Sequence, residues 1–168
     1  MKLNLVKETN SILFKECEDF NFENPQTDPI ELAKDLNETM IHNKGLGLSA
    51  NQVGLSYKVF VVRVEDETPC AFFNPRIVDI SENKVSMQEG CLSFPLLFLK
   101  VKRPDAVKIR YEDENGNTMT NTFTGMTARV VLHEYDHLKG QVFTNVAHKF
   151  ESERGLRKRM ILKRKLKK

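Results

Sequence analysis

The run Leu132-His133-Glu134-Tyr135-Asp136-His137-Leu138 constrains this chain more than any other stretch. On a helix, histidines four residues apart lie on one face, one turn above each other. Their imidazoles can then reach a single cation. Glu134, one residue on, projects about a third of a turn away, close enough to reach a water on that cation without being a ligand. Three fixed positions in five recur by chance in unrelated chains, so the surroundings decide what the run means.

Size and composition narrow the frame. At 168 residues the chain fits one domain with a sizeable core, and two would be cramped. Forty per cent hydrophobic and 29% charged residues suit a globular protein and exclude disorder of the whole. No apolar stretch is long enough to span a membrane. The segment Met1-Lys2-Leu3-Asn4-Leu5-Val6-Lys7-Glu8 has neither an apolar signal core nor transit character, so a cytoplasmic location is expected. The three cysteines, Cys17, Cys70 and Cys91, are too few for a disulfide framework. A reducing compartment fits, and Cys91 is free to be a thiolate.

The net charge of +3 conceals an asymmetry. From Arg154 to Lys168 there are nine basic residues and no acidic one, while the remaining 17 basic side chains face 23 acidic ones. Residues 1–150 read as a single acidic catalytic domain, and 151–168 as a basic helical tail. Such a tail either meets an anionic partner, nucleic acid foremost, or is a solvated terminal helix. Leu156, Met160 and Leu166 mark an apolar edge too thin to dock it firmly, so its outer turns are expected to move in the free protein.

Along the chain, Asp28-Pro29-Ile30-Glu31 predicts a helix start, with Asp28 capping, Pro29 at the first helical position and Glu31 completing a capping box. Leu32, Leu36 and Met40 form its buried stripe, and Gly45 or Asn43 supplies the left-handed cap. Val59–Val64, Ala71–Phe73 and Ile77–Ile80 read as strands separated by Pro69 and Pro75. Phe98–Val101 and Val107–Tyr111 read as further strands, and Asp113-Glu114-Asn115-Gly116-Asn117 as a hairpin turn. A second helix is expected from about Thr127 to Lys139, ended by Gly140. The fold class is α+β: mostly antiparallel sheets wrapped around a central helix bearing the two histidines, with an N-terminal helix and a basic C-terminal one.

Three blocks then stand together: Gly45-Leu46-Gly47-Leu48-Ser49-Ala50-Asn51-Gln52-Val53-Gly54, Glu89-Gly90-Cys91-Leu92-Ser93, and His133-Glu134-Tyr135-Asp136-His137-Leu138. In this order and spacing they resemble the signature motifs of peptide deformylases, and the likeness covers nearly the whole chain. Ser49 stands where that family usually has alanine, and Leu132 where glutamine usually precedes the first histidine. The resemblance implies a hydrolase that removes the formyl group from the N-terminal formylmethionine of new polypeptides. It implies a metal centre of Cys91, His133 and His137, with iron(II) native and zinc, nickel or cobalt able to substitute. The chemistry is coherent on its own terms. One thiolate and two imidazoles leave a fourth tetrahedral position for water, and Glu134 can act as general acid and base. By resemblance, the Gln52 side chain and the Leu92 backbone N–H would stabilise the oxyanion, and Asp136 would pair with Arg103.

Val130 and Met126, three and seven positions before His133, share its helix face. With Leu46 they could form an apolar pocket for a methionine side chain, or else simply fill the core. Substrate backbone would pair near Leu46 and Gly47. The competing enzyme class is a zinc endopeptidase, but a third histidine is missing where Phe143 stands, and Glu151 and Glu153 lie at the start of the charged tail. A non-enzymatic RNA- or ribosome-binding protein with a structural metal would need a fourth ligand, for which His148 is the candidate. Likeness to family members with a ribosome-binding C-terminal helix makes the ribosome the expected partner of Arg154–Lys168. Removing Arg157–Lys168 is accordingly expected to leave hydrolysis of short peptides nearly unchanged.

Overall fold

The computed structural model describes residues 1–64 and 69–166. Lys167 and Lys168 of the basic tail therefore lie outside the described residues. Helix α1 (Pro29–His42) starts as expected: Asp28 accepts hydrogen bonds from the N–H groups of Ile30 and Glu31 at 2.9 and 3.0 Å, a cap worth about 1 kcal/mol. The capping box does not form. Glu31 stays exposed, returns no bond to Asp28, and contributes only negative charge to the first turn.

The other end of α1 also departs from expectation. Lys44, not Gly45 or Asn43, takes the left-handed conformation, with φ of 56°. The N–H of Gly45 reaches the carbonyl of Met40 at 2.9 Å and that of Lys44 reaches Ile41 at 3.0 Å, the Schellman pattern. Gly45 lies close against the next block: a Cβ there would be 2.8 Å from Cδ1 of Leu92, which would have to turn aside.

Seven strands follow among the described residues: β1 (Gly47–Ser49), β2 (Val59–Arg63), β3 (Pro69–Ile80), β4 (Lys84–Gly90), β5 (Phe98–Pro104), β6 (Ala106–Glu112) and β7 (Thr118–Thr124). They form an antiparallel five-stranded sheet in the order β1-β2-β3-β6-β7 and a separate β4-β5 hairpin. Pro75 does not divide β3. It sits with Asn74 in a bulge between the pairs Phe73–Glu112 and Arg76–Arg110, where its missing N–H costs no ladder bond. Asn74 tolerates φ of 48° because its side chain is held by Phe20 and Glu112. The expected β6–β7 hairpin closes through Asp113, which accepts from the N–H groups of Asn115 and Asn117, and only Gly116 takes a positive φ.

The central helix α2 (Gly125–Leu138) begins two residues before the expected start and is closed by Gly140 at φ 67°. Alternation along β2 explains how it is enclosed. Phe60 and Val62 face a core shared with Ala128, Val131 and Leu132 of α2. Val59 and Val61 face the opposite core, with Leu32, Leu36 and Met40 of α1. A third cluster joins the short α3 (Phe143–Val146) to Leu97, Leu99 and Val101.

Helix α4 (Lys149–Lys165) docks by a different face from the one its apolar residues suggested. Leu156 and Met160 are 45% and 55% exposed, whereas Ser152, Gly155 and Arg159 are buried. Gly155 lets the helix backbone close onto Leu97 and Leu99. Arg159 donates to the carbonyl of Pro95 at 2.9 Å and pairs with Glu8. Leu166, 73% exposed, touches no core. No helix among the described residues is long and apolar enough to cross a membrane.

Candidate active site

Three elements bring the motif residues together. Cys91 follows the last residue of β4, His133 and His137 lie one turn apart on α2, and Gln52 sits in the 3-10 turn Ala50–Val53 just after β1. Ligand atoms of Cys91, His133 and His137 all lie within 4.8 Å of one another, and Cys91 Sγ is 3.3 Å from Nε2 of His137. One sulfur and two imidazoles converging on a common point are the donor set of a divalent metal such as zinc or iron. Beside this donor set, Oε2 of Glu134 is buried without any hydrogen-bond partner. Unpaired buried polar atoms are rare enough to mark a place where something else binds.

Glu89 orders this centre from behind. Its Oε2 lies 3.1 Å from Nδ1 of His133, which leaves Nε2 of that ring as the ligand atom. Arg103 grips the same carboxylate at 2.6 and 3.1 Å, and Arg129 adds a contact at 2.7 Å. Burial works against the charged form of Glu89, but His133 and Arg103 outweigh it and hold the carboxyl down at about 2. The guanidinium of Arg103 also donates to Asp136 at 2.7 Å, the pairing the resemblance implied. His133 is raised to about 10, because the Cys91 sulfur and Glu89 overcome its burial. Burial drives His137 the other way, well below the usual imidazole range, with the charges of His133 and Arg103 adding to it.

Glu134 is 4% exposed, and burial pushes its carboxyl up to about 7. It faces β1 at the point of closest approach, where Gly47 presents only backbone. Gln52 is fully enclosed: Oε1 accepts from the backbone N–H of Ser49 at 3.0 Å and lies 3.1 Å from the Ser49 hydroxyl. Its Nε2 donates to Ser93 Oγ at 2.9 Å and stands 3.5 Å from the Cys91 sulfur. The Leu92 N–H is taken up by no backbone carbonyl among the described residues. Ser49, the first departure from the family pattern, thus fixes the orientation of the Gln52 amide. Leu132, the second, packs in the core beside α2.

The centre opens onto a cleft of about 1000 Å³, with Gln52 and His137 set behind its wall. Leu46, Gly47, Met126 and Val130 all line it, as do Cys91, Leu92, His133 and Glu134. Leu46 and Met126 are about half exposed, so neither is a core filler. Phe143, which occupies the position of a third histidine in some zinc peptidases, is buried with its ring centroid 5.7 Å from that of His133. His148 caps α4 through Nδ1, so it is engaged away from the centre.

Several supporting residues escaped the sequence reading. Glu89 and Ser93 flank Cys91 within its own block, and Arg129 lies four residues before His133, a helical spacing that could have been noticed. Asn51, which donates to the carbonyl of His137 at 2.7 Å, carries no sequence signal beyond its neighbour Gln52.

Comparison with known proteins agrees with this geometry. A family described as polypeptide deformylase matches residues 2–153. A peptide deformylase of Pseudothermotoga lettingae is 44% identical over 126 residues, spanning 75% of this chain and 72% of its own length. Peptide deformylase 1 of Bacillus cereus is 38% identical over 156 residues, 92% of this chain and 97% of its own. The crystal structure of peptide deformylase from Ehrlichia chaffeensis superposes with a TM-score of 0.86 at 35% identity, covering 98% of both chains. With a family match across nearly all of the fold, this chain belongs to the polypeptide deformylase family.

Proposed function

We propose that residues 1–150 form one catalytic domain that hydrolyses the N-formyl group of N-terminal formylmethionine on new polypeptides, releasing formate and a free amine. One observation carries the reading. A buried glutamate with an unpartnered oxygen stands next to a convergent Cys-His-His donor set at the wall of an open cleft. A divalent ion held by Cys91, His133 and His137 would supply Lewis acidity toward water and the formyl oxygen. We take that ion to be iron(II), which the soft thiolate and two imidazoles accept, with zinc, nickel or cobalt able to substitute.

The residues of the chain divide the remaining work. Glu134 takes a proton from the attacking water and delivers it to the departing amine nitrogen as the C–N bond breaks. Burial favours the protonated form of Glu134, which helps it to hold the proton between the two halves of that transfer. Gln52 and the Leu92 N–H donate to the oxyanion that develops on the former carbonyl, and Ser49 and Ser93 keep the amide aimed. Leu46, Met126 and Val130 give the methionine side chain an apolar seat. β1 lies at the edge of its sheet, so an extended peptide can add to it by backbone pairing, and residues beyond methionine should matter little.

The basic outer half of α4 is the surface we assign to the ribosome, whose RNA is anionic, and the cytoplasm is the compartment where such substrates emerge. The experiment is formate release from a formyl-Met peptide by anaerobically purified protein, with metal content measured on the same sample. A metal-filled sample that releases no formate overturns the reading. Equal activity of iron and zinc forms, both stable in air, would overturn the choice of iron.

A further inference from the structure

We propose that Arg129 is a positioning residue for the metal centre: its guanidinium fixes Glu89, and through Glu89 both the orientation of His133 and the distance between the cysteine and histidine ligands. The inference rests on the metal site proposed above and deepens it. Cys91 and the two histidines come from different elements, the β4-β5 hairpin and α2, and the backbone bond that joins them, from the Gly125 N–H to the Asp105 carbonyl at 2.8 Å, lies at the first residue of α2, eight residues before His133.

Arg129 spans that gap. It lies on α2 one turn before His133, on the same face, and is 4% exposed. Nη1 donates to Glu89 Oε1 at 2.7 Å and to the carbonyl of Val101 on β5 at 2.9 Å. Nη2 donates to the carbonyl of Val85 on β4 at 2.5 Å. One side chain of the histidine helix therefore holds both strands of the hairpin and the carboxylate that orients a ligand. Glu89 is also two residues before Cys91, so a shift of its backbone moves the sulfur. Arg103 grips Glu89 from β5 and, among the described residues, its hydrogen bond to α2 is to Asp136. The contacts of Arg129 fan out to three acceptors, a pattern that suits a planar fork of donors and that a single ammonium cannot reproduce.

Cobalt(II) is the probe, added to metal-free wild type, Arg129→Met, Arg129→Lys and Glu89→Gln, each confirmed folded by circular dichroism at the working temperature. Affinity is read by chelator competition, and site geometry by the cobalt absorption bands, including thiolate-to-metal charge transfer. Loss of a group that orients a ligand from behind typically weakens metal binding roughly 10–100-fold. We expect such a loss for Arg129→Met, a smaller one for Arg129→Lys, and altered cobalt bands in both. In the Glu89→Gln background, Arg129→Met should cost less than it does alone, because the path through Glu89 is already lost and only the bonds to Val85 and Val101 remain to be removed. A folded Arg129→Met or Arg129→Lys protein that binds cobalt as wild type does, with the same spectrum, would overturn the inference. So would losses that simply add in the double variant. Failure of wild type itself to bind cobalt would instead defeat the underlying metal site, so the two failures are distinguishable.

Discussion

A Cβ placed on Gly47 would lie 2.6 Å from Oε1 of Glu134 and 2.7 Å from Cγ1 of Val130. The constraint is spatial and not conformational, because Gly47 lies in the extended backbone of β1. Gly47→Ala is therefore expected to displace the Glu134 carboxylate or the strand edge. Turnover of formyl-Met peptides should fall at least tenfold while metal content stays near that of the wild type. Unchanged kcat and KM in the alanine variant would show that this close approach is not needed.

The ligand and acid–base roles separate by mutation. Glu134→Gln should retain the metal, since Glu134 lies outside the donor trio, and lose turnover roughly 10²–10⁴-fold. Cys91→Ala removes the soft ligand itself and should release the metal. Metal analysis of both purified variants beside their rates decides the matter. An emptied Glu134→Gln site together with a loaded, active Cys91→Ala enzyme would exchange the roles.

The three thiols should differ sharply in reactivity. Burial pushes Cys17 up to about 11 and raises Cys70 as well. A raised thiol pKa leaves less of the nucleophilic thiolate at every pH below it, so alkylation of Cys17 should climb only as pH nears about 11. Cys91, half-buried on the cleft, should be the first to react with iodoacetamide at pH 8 in metal-free protein, and loading the metal should suppress that reaction. Mass spectrometry of labelled peptides reads all three at once. Labelling of Cys17 at the rate of Cys91 would contradict the assignment.

What the sequence disclosed follows from how locally each feature is encoded. The cap at Asp28, the stripe of Leu32, Leu36 and Met40, and the paired histidines of α2 are set by neighbours within a turn or two, and all stand as expected. The strand β4 is marked only by Val85 and Met87 alternating with Lys84, Ser86 and Gln88, a pattern too short to stand out, and in the fold all five of these residues stay exposed. Pro75 misled because a proline breaks a ladder only where its N–H is required, and the bulge at Asn74 removes that requirement. The ligands were legible as motifs, whereas the partners of Glu89 and Arg129 were not, although one residue lies in the cysteine block and the other at helical spacing from His133. Their contacts join residues 14 to 44 positions apart, which only the folded chain brings together. The docking of α4 was misread for a related reason. A glycine and an arginine carry its contact, and neither reads as apolar in a periodic pattern.

That docking changes what truncation of the tail should do. Deleting residues 157–168 removes Arg159, which is 7% exposed, donates to the carbonyl of Pro95 and pairs with Glu8. Glu8 and the segment around Pro95 line the cleft, and Leu96 in that segment holds a left-handed φ of 66°. Without Arg159 the segment loses its outer anchor, so KM for formyl-Met peptides should rise several-fold with kcat less affected. Deleting only residues 164–168 leaves Arg159 and Lys163 in place. That shorter deletion should keep the kinetics of short peptides intact while removing four basic side chains from the outer end. Contacts to RNA phosphate weaken steeply with salt. Ribosome binding by the short truncation should accordingly be weaker than that of the full chain at low salt and less sensitive to added salt. Equal ribosome affinity of the two proteins across a salt series would make the outer helix a solubilising end, and an unchanged KM in the longer deletion would release Arg159 from any part in the cleft.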